Sequence, residues 1–168
     1  MKSNGAAAAP AVVHGAAGLP DDPAAFVAAA EDITNRADPV GAAAVYASDA
    51  VLESFTDGAH ERYVGKTAVG MAWRSYMSAL SSQRFRLTKR LLVAADGVIV
   101  NEWSGQIGNA RRSAGIEYWI FNNDGEVRRH CMYSSLSVQP STSWRQRLRM
   151  LFAYPRTALA FDRARRQR

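Results

Sequence analysis

Residues 116–133 read Ile-Glu-Tyr-Trp-Ile-Phe-Asn-Asn-Asp-Gly-Glu-Val-Arg-Arg-His-Cys-Met-Tyr. Two strand-like runs flank an Asn-Asn-Asp-Gly segment, the composition of a tight β-hairpin turn. Side chains of a strand alternate with period two, so this one turn decides which residues can meet. With Asn123 and Asp124 as the loop, Asn122 faces Gly125 and Glu117 stands opposite His130. With Asp124 and Gly125 as the loop, His130 moves to a diagonal neighbour of Glu117 on the same face. That face also carries Trp119, Phe121, Arg128, Met132 and Ser134. The opposite face carries Ile116, Tyr118, Ile120, Val127, Arg129, Cys131 and Tyr133. Burial pushes a carboxyl towards protonation while a neighbouring imidazolium pulls it back, so Glu117 and His130 are candidates for general acid/base proton exchange.

The rest of the chain supplies a frame for this hairpin. Asp21-Asp22-Pro23 and Asp38-Pro39 each place a capping acid before a proline suited to the first helical position. They predict helices over about 23–36 and 39–47. A short strand follows at 51–55, turned by Thr56-Asp57-Gly58. A third helix begins near Gly65-Lys66-Thr67, with Val69, Trp73, Tyr76, Met77 and Leu80 on one stripe. From 85 onward the period becomes strand-like: 85–94, an Asp96-Gly97 turn, 98–107, a break at Gly108-Asn109, then the hairpin from about 112 to 138. Pro140-Ser141-Thr142-Ser143 ends the sheet and caps a tail helix, and Pro155 starts or kinks a last segment to 166. Three helices, an inserted strand, then four antiparallel strands make an α+β layout with helices against one face of a curved sheet.

Length fits one domain, with a leader over 1–20, a domain over 21–139 and a tail over 140–168. The leader is rich in Ala, Gly and Pro and reads as disordered. No apolar run approaches a membrane span, and the single cysteine forms no internal disulfide, so a cytoplasmic location is expected. Three scattered histidines and no glycine-rich phosphate loop give no expectation of a metal or a nucleotide cofactor. His14 and His60 read as solvated. The tail from 144 to 168 holds eight arginines and one acid, a net +7, so the other 143 residues of this +6 chain sum to −1. Its apolar stripe, Trp144, Leu148, Leu151 and Phe152, is expected to pack on the domain or across a dimer. An anionic membrane or nucleic acid are the alternative partners of its arginines.

The element order, together with Asp49-Ala50-Val51-Leu52-Glu53, Tyr63-Val64-Gly65-Lys66, Glu102-Trp103 and Phe121-x-x-Asp124-Gly125-Glu126-Val127, resembles the nuclear transport factor 2-like superfamily. The SnoaL-like polyketide cyclase and ketosteroid isomerase-like branches look nearest, over about 22–138. The resemblance implies a cone-shaped α+β barrel around one deep pocket, in a homodimer. It places the second acid of the ketosteroid isomerases on Glu117. Their general base falls on Ser54 and their helix-one tyrosine on Ala30, so two of three functional groups are missing. The final-strand histidine of SnoaL-like cyclases matches His130, while the acid that follows it there falls on Ser135.

These readings converge on a small-molecule pocket protein of the SnoaL-like kind. It would be a cofactor-independent acid/base enzyme of isomerase, cyclase or hydrolase type, acting on an apolar cyclic compound. The alternatives are a non-catalytic ligand-binding or dimerisation module of the same fold, and a membrane or nucleic-acid adaptor working through the tail. Glu117 and His130 are the candidate catalytic pair. Ser54, Trp73, Tyr76, Asn101, Trp103, Trp119, Met132 and Ser134 are the candidate pocket lining, with Asn101 offering a hydrogen bond beside Trp103.

Overall fold

The computed structural model describes residues 18–107, 111–138 and 143–166. The leader up to residue 17, the break at 108–110 and the capping segment at 139–142 lie outside the described residues.

Helix α1 (Pro23–Asn35) starts where Asp22 accepts a hydrogen bond from the Ala25 amide at 2.9 Å. Helix α2 (Pro39–Ala44) starts where Asp38 accepts from Val40 and Gly41. Each cap satisfies donors the helix cannot, worth about 1 kcal/mol. Helix α2 stops three residues before the expected end, because the chain turns extended at Tyr46. The inserted strand is a full hairpin, β1 (Tyr46–Thr56) and β2 (Ala59–Val64), with helix α3 (Lys66–Ser82) after it. Strands β3 (Arg86–Ala95), β4 (Val98–Ile107), β5 (Arg111–Phe121) and β6 (Val127–Ser135) follow, then α4 (Trp144–Ala153) and α5 (Pro155–Arg166).

The six strands form one sheet in the order β2-β1-β6-β5-β4-β3. It is mixed, not purely antiparallel: β1 runs parallel to β6, while every other neighbouring pair is antiparallel. Nor is it a closed barrel, since β2 and β3 stay unpaired edges. Side chains of α1 cover the β3 edge. Asn35 exchanges two 2.9 Å hydrogen bonds with the Leu87 backbone, and Glu31 accepts from the Lys89 amide. An edge so occupied cannot recruit another strand.

Two turns behave as their Asp-Gly sequences predict. Asp57-Gly58 and Asp96-Gly97 have positive φ at both residues, the two-residue hairpin loop that suits strand twist. The turn after β5 differs. Only Gly125 has positive φ. The Asn122 side-chain oxygen accepts from the Asp124 and Glu126 amides, and the Asn122 amide bonds to the Glu126 carbonyl. The loop therefore spans 122–126, and a register shift follows between Ile120 and Phe121. It puts Val127 opposite Phe121 on the inner face and leaves Arg128 exposed, the reverse of the expected assignment for both. Beyond the shift Trp119 pairs with His130 and Glu117 with Met132. His130 is thus the diagonal neighbour of Glu117, not its direct partner.

The main core lies between the inner face of the sheet and the three N-terminal helices, around Tyr46, Leu52, Val69, Met77, Ile99, Trp119 and Val127. The last part of the leader joins it. Leu19 packs on this core, and the Gly18 amide bonds to the Asn122 carbonyl, so 18–20 is docked on the β5–β6 turn.

The tail differs more sharply. Helix α5 follows α4 directly across Tyr154, and Trp144 (64% exposed) and Phe152 (82%) stand in solvent. The apolar stripe does not pack on its own domain. Among the described residues, no helix is long and apolar enough to cross a membrane.

Candidate functional site

Between the sheet and α3 lies a cavity of about 380 Å³, within the range of about 300–1,000 Å³ typical of ligand pockets. Ser54, Trp73, Tyr76, Trp103, Met132 and Ser134 all line it, as does Glu117. Trp103 lies flat over β5 because its cross-strand partner is Gly115; a methyl there would stand 2.6 Å from the indole. Tyr76 donates to Glu61 across the cavity wall at 2.6 Å. A larger hollow of about 780 Å³ on the outer side of the sheet is shallower and gathers no comparable buried polar cluster.

His130, Asn101 and Trp119 do not line this cavity. They stand behind Glu117 and hold it. Asn101 donates to Glu117 Oε1 at 2.9 Å, and Trp119 Nε1 donates to Asn101 Oδ1 at 2.9 Å. His130 is fully buried, stacked on Trp119 with ring centroids 3.5 Å apart. Its Nε2 is 3.4 Å from Glu117 Oε2, without a well-directed hydrogen bond. Its Nδ1 lies 2.7 Å from the Tyr46 hydroxyl, which accepts from Trp73 Nε1 at 3.0 Å. Because that indole can only donate, the Tyr46 proton points to Nδ1, and the neutral imidazole then carries its proton on Nε2, facing Glu117.

Two members of this group are absent from the sequence reading. Lys89 donates to Glu117 Oε1 from the cavity side, and both side chains are nine-tenths buried or more. Its ammonium also lies 5.7 Å from the Trp119 ring centroid, within cation–π range. Tyr46, assigned above to a helix, is the first residue of β1.

The electrostatics follow from these contacts. Burial alone would raise the Glu117 carboxyl, but the Lys89 ammonium, helped by the imidazole of His130 beside it, holds it well below the usual carboxylate range. Burial lowers His130 from its ordinary 6.5, and the neighbouring Glu117 only partly offsets this. Desolvation likewise raises the Tyr46 phenol well above 10.0. The resting site is therefore an ion pair, Lys89 and Glu117, backed by a neutral His130 and a neutral Tyr46. Free exchange of one proton between Glu117 and His130 does not describe that state.

The outer face carries a second grouping of the same residue types. Arg129 donates to Glu53 at 2.6 Å, and His60 Nε2 lies 3.5 Å from the same carboxylate. His60 is not a free solvated side chain, since it stacks on Phe55 at 4.2 Å, and Phe55 stacks on Tyr133 at 4.8 Å. Among the described residues no group of three or more His, Cys, Asp and Glu side chains could hold a metal ion.

Compared with solved structures, the chain is similar to a steroid delta-isomerase from Pseudomonas aeruginosa, with 25% identity and a TM-score of 0.53 over 89% of this chain and 93% of that one. It is also similar to a SnoaL-like protein of unknown function from Burkholderia thailandensis, at 18% identity and a TM-score of 0.56 over 69% and 98%. The chain has a nuclear transport factor 2-like fold. Its neighbours lie on the SnoaL-like and ketosteroid isomerase-like side of that superfamily. They include SalBIII, an epoxide hydrolase/cyclase-like enzyme of pyran ring formation in the polyether salinomycin, at 12% identity and a TM-score of 0.52 over 67% and 89%. No protein-family model matches the chain, and no curated protein sequence does. The neighbours comprise isomerases, a cyclase-like enzyme and proteins of unknown function, so this nuclear transport factor 2-like fold admits catalysis without naming a reaction.

Proposed function

We propose that the protein binds a small, mainly apolar cyclic compound in the inner cavity and acts on it by cofactor-independent acid/base chemistry. The observation that carries this reading is the buried Lys89–Glu117 pair at the cavity wall, in a chamber otherwise lined largely by Trp73, Tyr76, Trp103, Met132 and Leu80. An oxygen of the ligand, carbonyl or hydroxyl, takes a hydrogen bond from Lys89. Doing so loosens Lys89 from Glu117 and weakens the main influence that depresses its carboxyl. Glu117 becomes a better base only when the ligand is present, while His130 and Asn101 keep it in place. Lys89 stabilises negative charge growing on the ligand oxygen as Glu117 removes a proton.

The second reading is a binder of the same fold. It is favoured by the strongly ionised Glu117, which in the resting state is a weak base. Cyclic ketones and hydroxylated polycycles are the probes. A ligand should raise the thermal midpoint of the wild type and lose at least about ten-fold in affinity in Lys89→Met. Turnover by Glu117→Gln should fall by about 10²–10⁴-fold. Equal affinity in Lys89→Met would remove the pair from the binding account. A bound compound recovered unchanged by mass spectrometry would establish the binder.

The homodimer partner is assigned here to the outer face, where Ile116 and Tyr133 are about half exposed beside the Phe55 and His60 stack. Light scattering on Tyr133→Asp should then give a monomer where the wild type gives a dimer.

A further inference from the structure

We propose that α4 and α5 form a docking element for an anionic lipid surface. At helical spacing Trp144, Leu148, Leu151 and Phe152 fall within roughly a 100° arc of α4, with Arg145 and Arg149 outside it. All four apolar side chains are exposed. Arg149 ties this helix to the domain by a polar contact, donating to the Asp57 carbonyl at 3.4 Å. Tyr154 and Leu159 add exposed apolar surface where α4 meets α5. The segment thus offers an uncovered apolar stripe, including the aromatic rings suited to a membrane interface, on a +7 background.

Charge decides between the possible covers. A second copy would bring another +7 tail against the first, and like charges oppose that contact. Nucleic acid would satisfy the arginines but leave Trp144, Leu148, Leu151 and Phe152 in water. An anionic bilayer satisfies both, since its headgroups meet the arginines and its acyl boundary takes the stripe. The domain, with a net charge of −1 outside the tail, adds no attraction of its own. The tail therefore carries the whole effect.

The test uses full-length protein and sedimentable vesicles of phosphatidylcholine alone, or with roughly a quarter phosphatidylglycerol. The protein should pellet with the anionic vesicles only, and less as salt rises. Arg145→Gln and Arg149→Gln should weaken binding by about five-fold each. Phe152→Asp should weaken it by about ten-fold or more, with an unchanged thermal midpoint because the residue lies outside the core. No pelleting, equal pelleting with neutral vesicles, or indifference to these substitutions overturns the proposal. So does tight duplex-DNA binding that Phe152→Asp leaves intact while vesicles are ignored. A change of oligomeric state in Phe152→Asp with vesicle binding unchanged would assign the stripe to a second copy instead.

Discussion

The two faces of one sheet carry nearly the same three residue types. On the inner face Glu117 meets Lys89 and His130, and on the outer face Glu53 meets Arg129 and His60. Sequence composition would rank them equal. The difference is solvent. Glu117, Lys89 and His130 are almost wholly buried, whereas on the outer face only Glu53, at 12%, is largely enclosed and its partners Arg129 and His60 are 47% and 45% exposed. Inside, each charge depends on its partner, because water is not there to replace it. Outside, water substitutes for a lost partner, and the pair orders side chains more than it stabilises the fold. The same chemistry is a candidate site on one face and a surface feature on the other.

The sharpest test of that contrast removes the cation from each. Lys89→Met should cost about 3–5 kcal/mol in urea unfolding, because it strands a buried carboxylate. The double variant Lys89→Met/Glu117→Gln should recover part of the loss, and a single-variant cost below about 1 kcal/mol would show that water reaches Glu117. Next in size, Tyr46→Phe leaves Trp73 Nε1 and His130 Nδ1 without their shared partner, an expected loss of about 1–3 kcal/mol.

A smaller effect appears with pH. The folded-state His130 is depressed, so below its ordinary 6.5 the unfolded chain takes up a proton that the folded chain refuses, and stability falls as pH drops. Glu117 is also depressed, and its contribution, present above the ordinary 4.5, is lost as pH falls through and below that value. Between pH 6.5 and 5 the wild type should lose stability more steeply than His130→Gln, by at most about 1.4 kcal/mol per pH unit. Parallel slopes would mean that His130 is hydrated and titrates normally. The smallest effect belongs to the outer face, where Arg129→Met should cost no more than about 1 kcal/mol.

Much of the fold can be read from local chemistry. Asp22-Pro23 and Asp38-Pro39 start their helices, and Asp57-Gly58 and Asp96-Gly97 make two-residue turns. Glu117 and Asn101 are visible as polar residues at inward positions of apolar strands. Lys89 was not, and the reason is a bulge. Counting back from Asp96-Gly97 puts Arg90 opposite Trp103, but a register shift between Leu91 and Val93 puts Lys89 there. A one-residue slip moves every later side chain to the other face. The available signal was Leu87-x-Lys89-x-Leu91, a lysine at the parity of two apolar residues. Tyr46 was hidden differently, by a helix that stops earlier than its alanines suggest.

By itself the sequence determined the helix starts, two of the hairpin turns, the α+β order and the charge separation between domain and tail, because each rests on residues close together in the chain. Tertiary structure decided what those parts become. The parallel pairing of β1 with β6 brings Tyr46 to His130 across 84 residues, and bulges in β3 and β6 select which side chains enter the core. Burial then makes Lys89 and Glu117 a charged pair in a cavity, while across the sheet the Arg129 and His60 partners of Glu53 stay in contact with water. Alternation along a strand is local, but the register that gives it direction is set by strands far away in sequence.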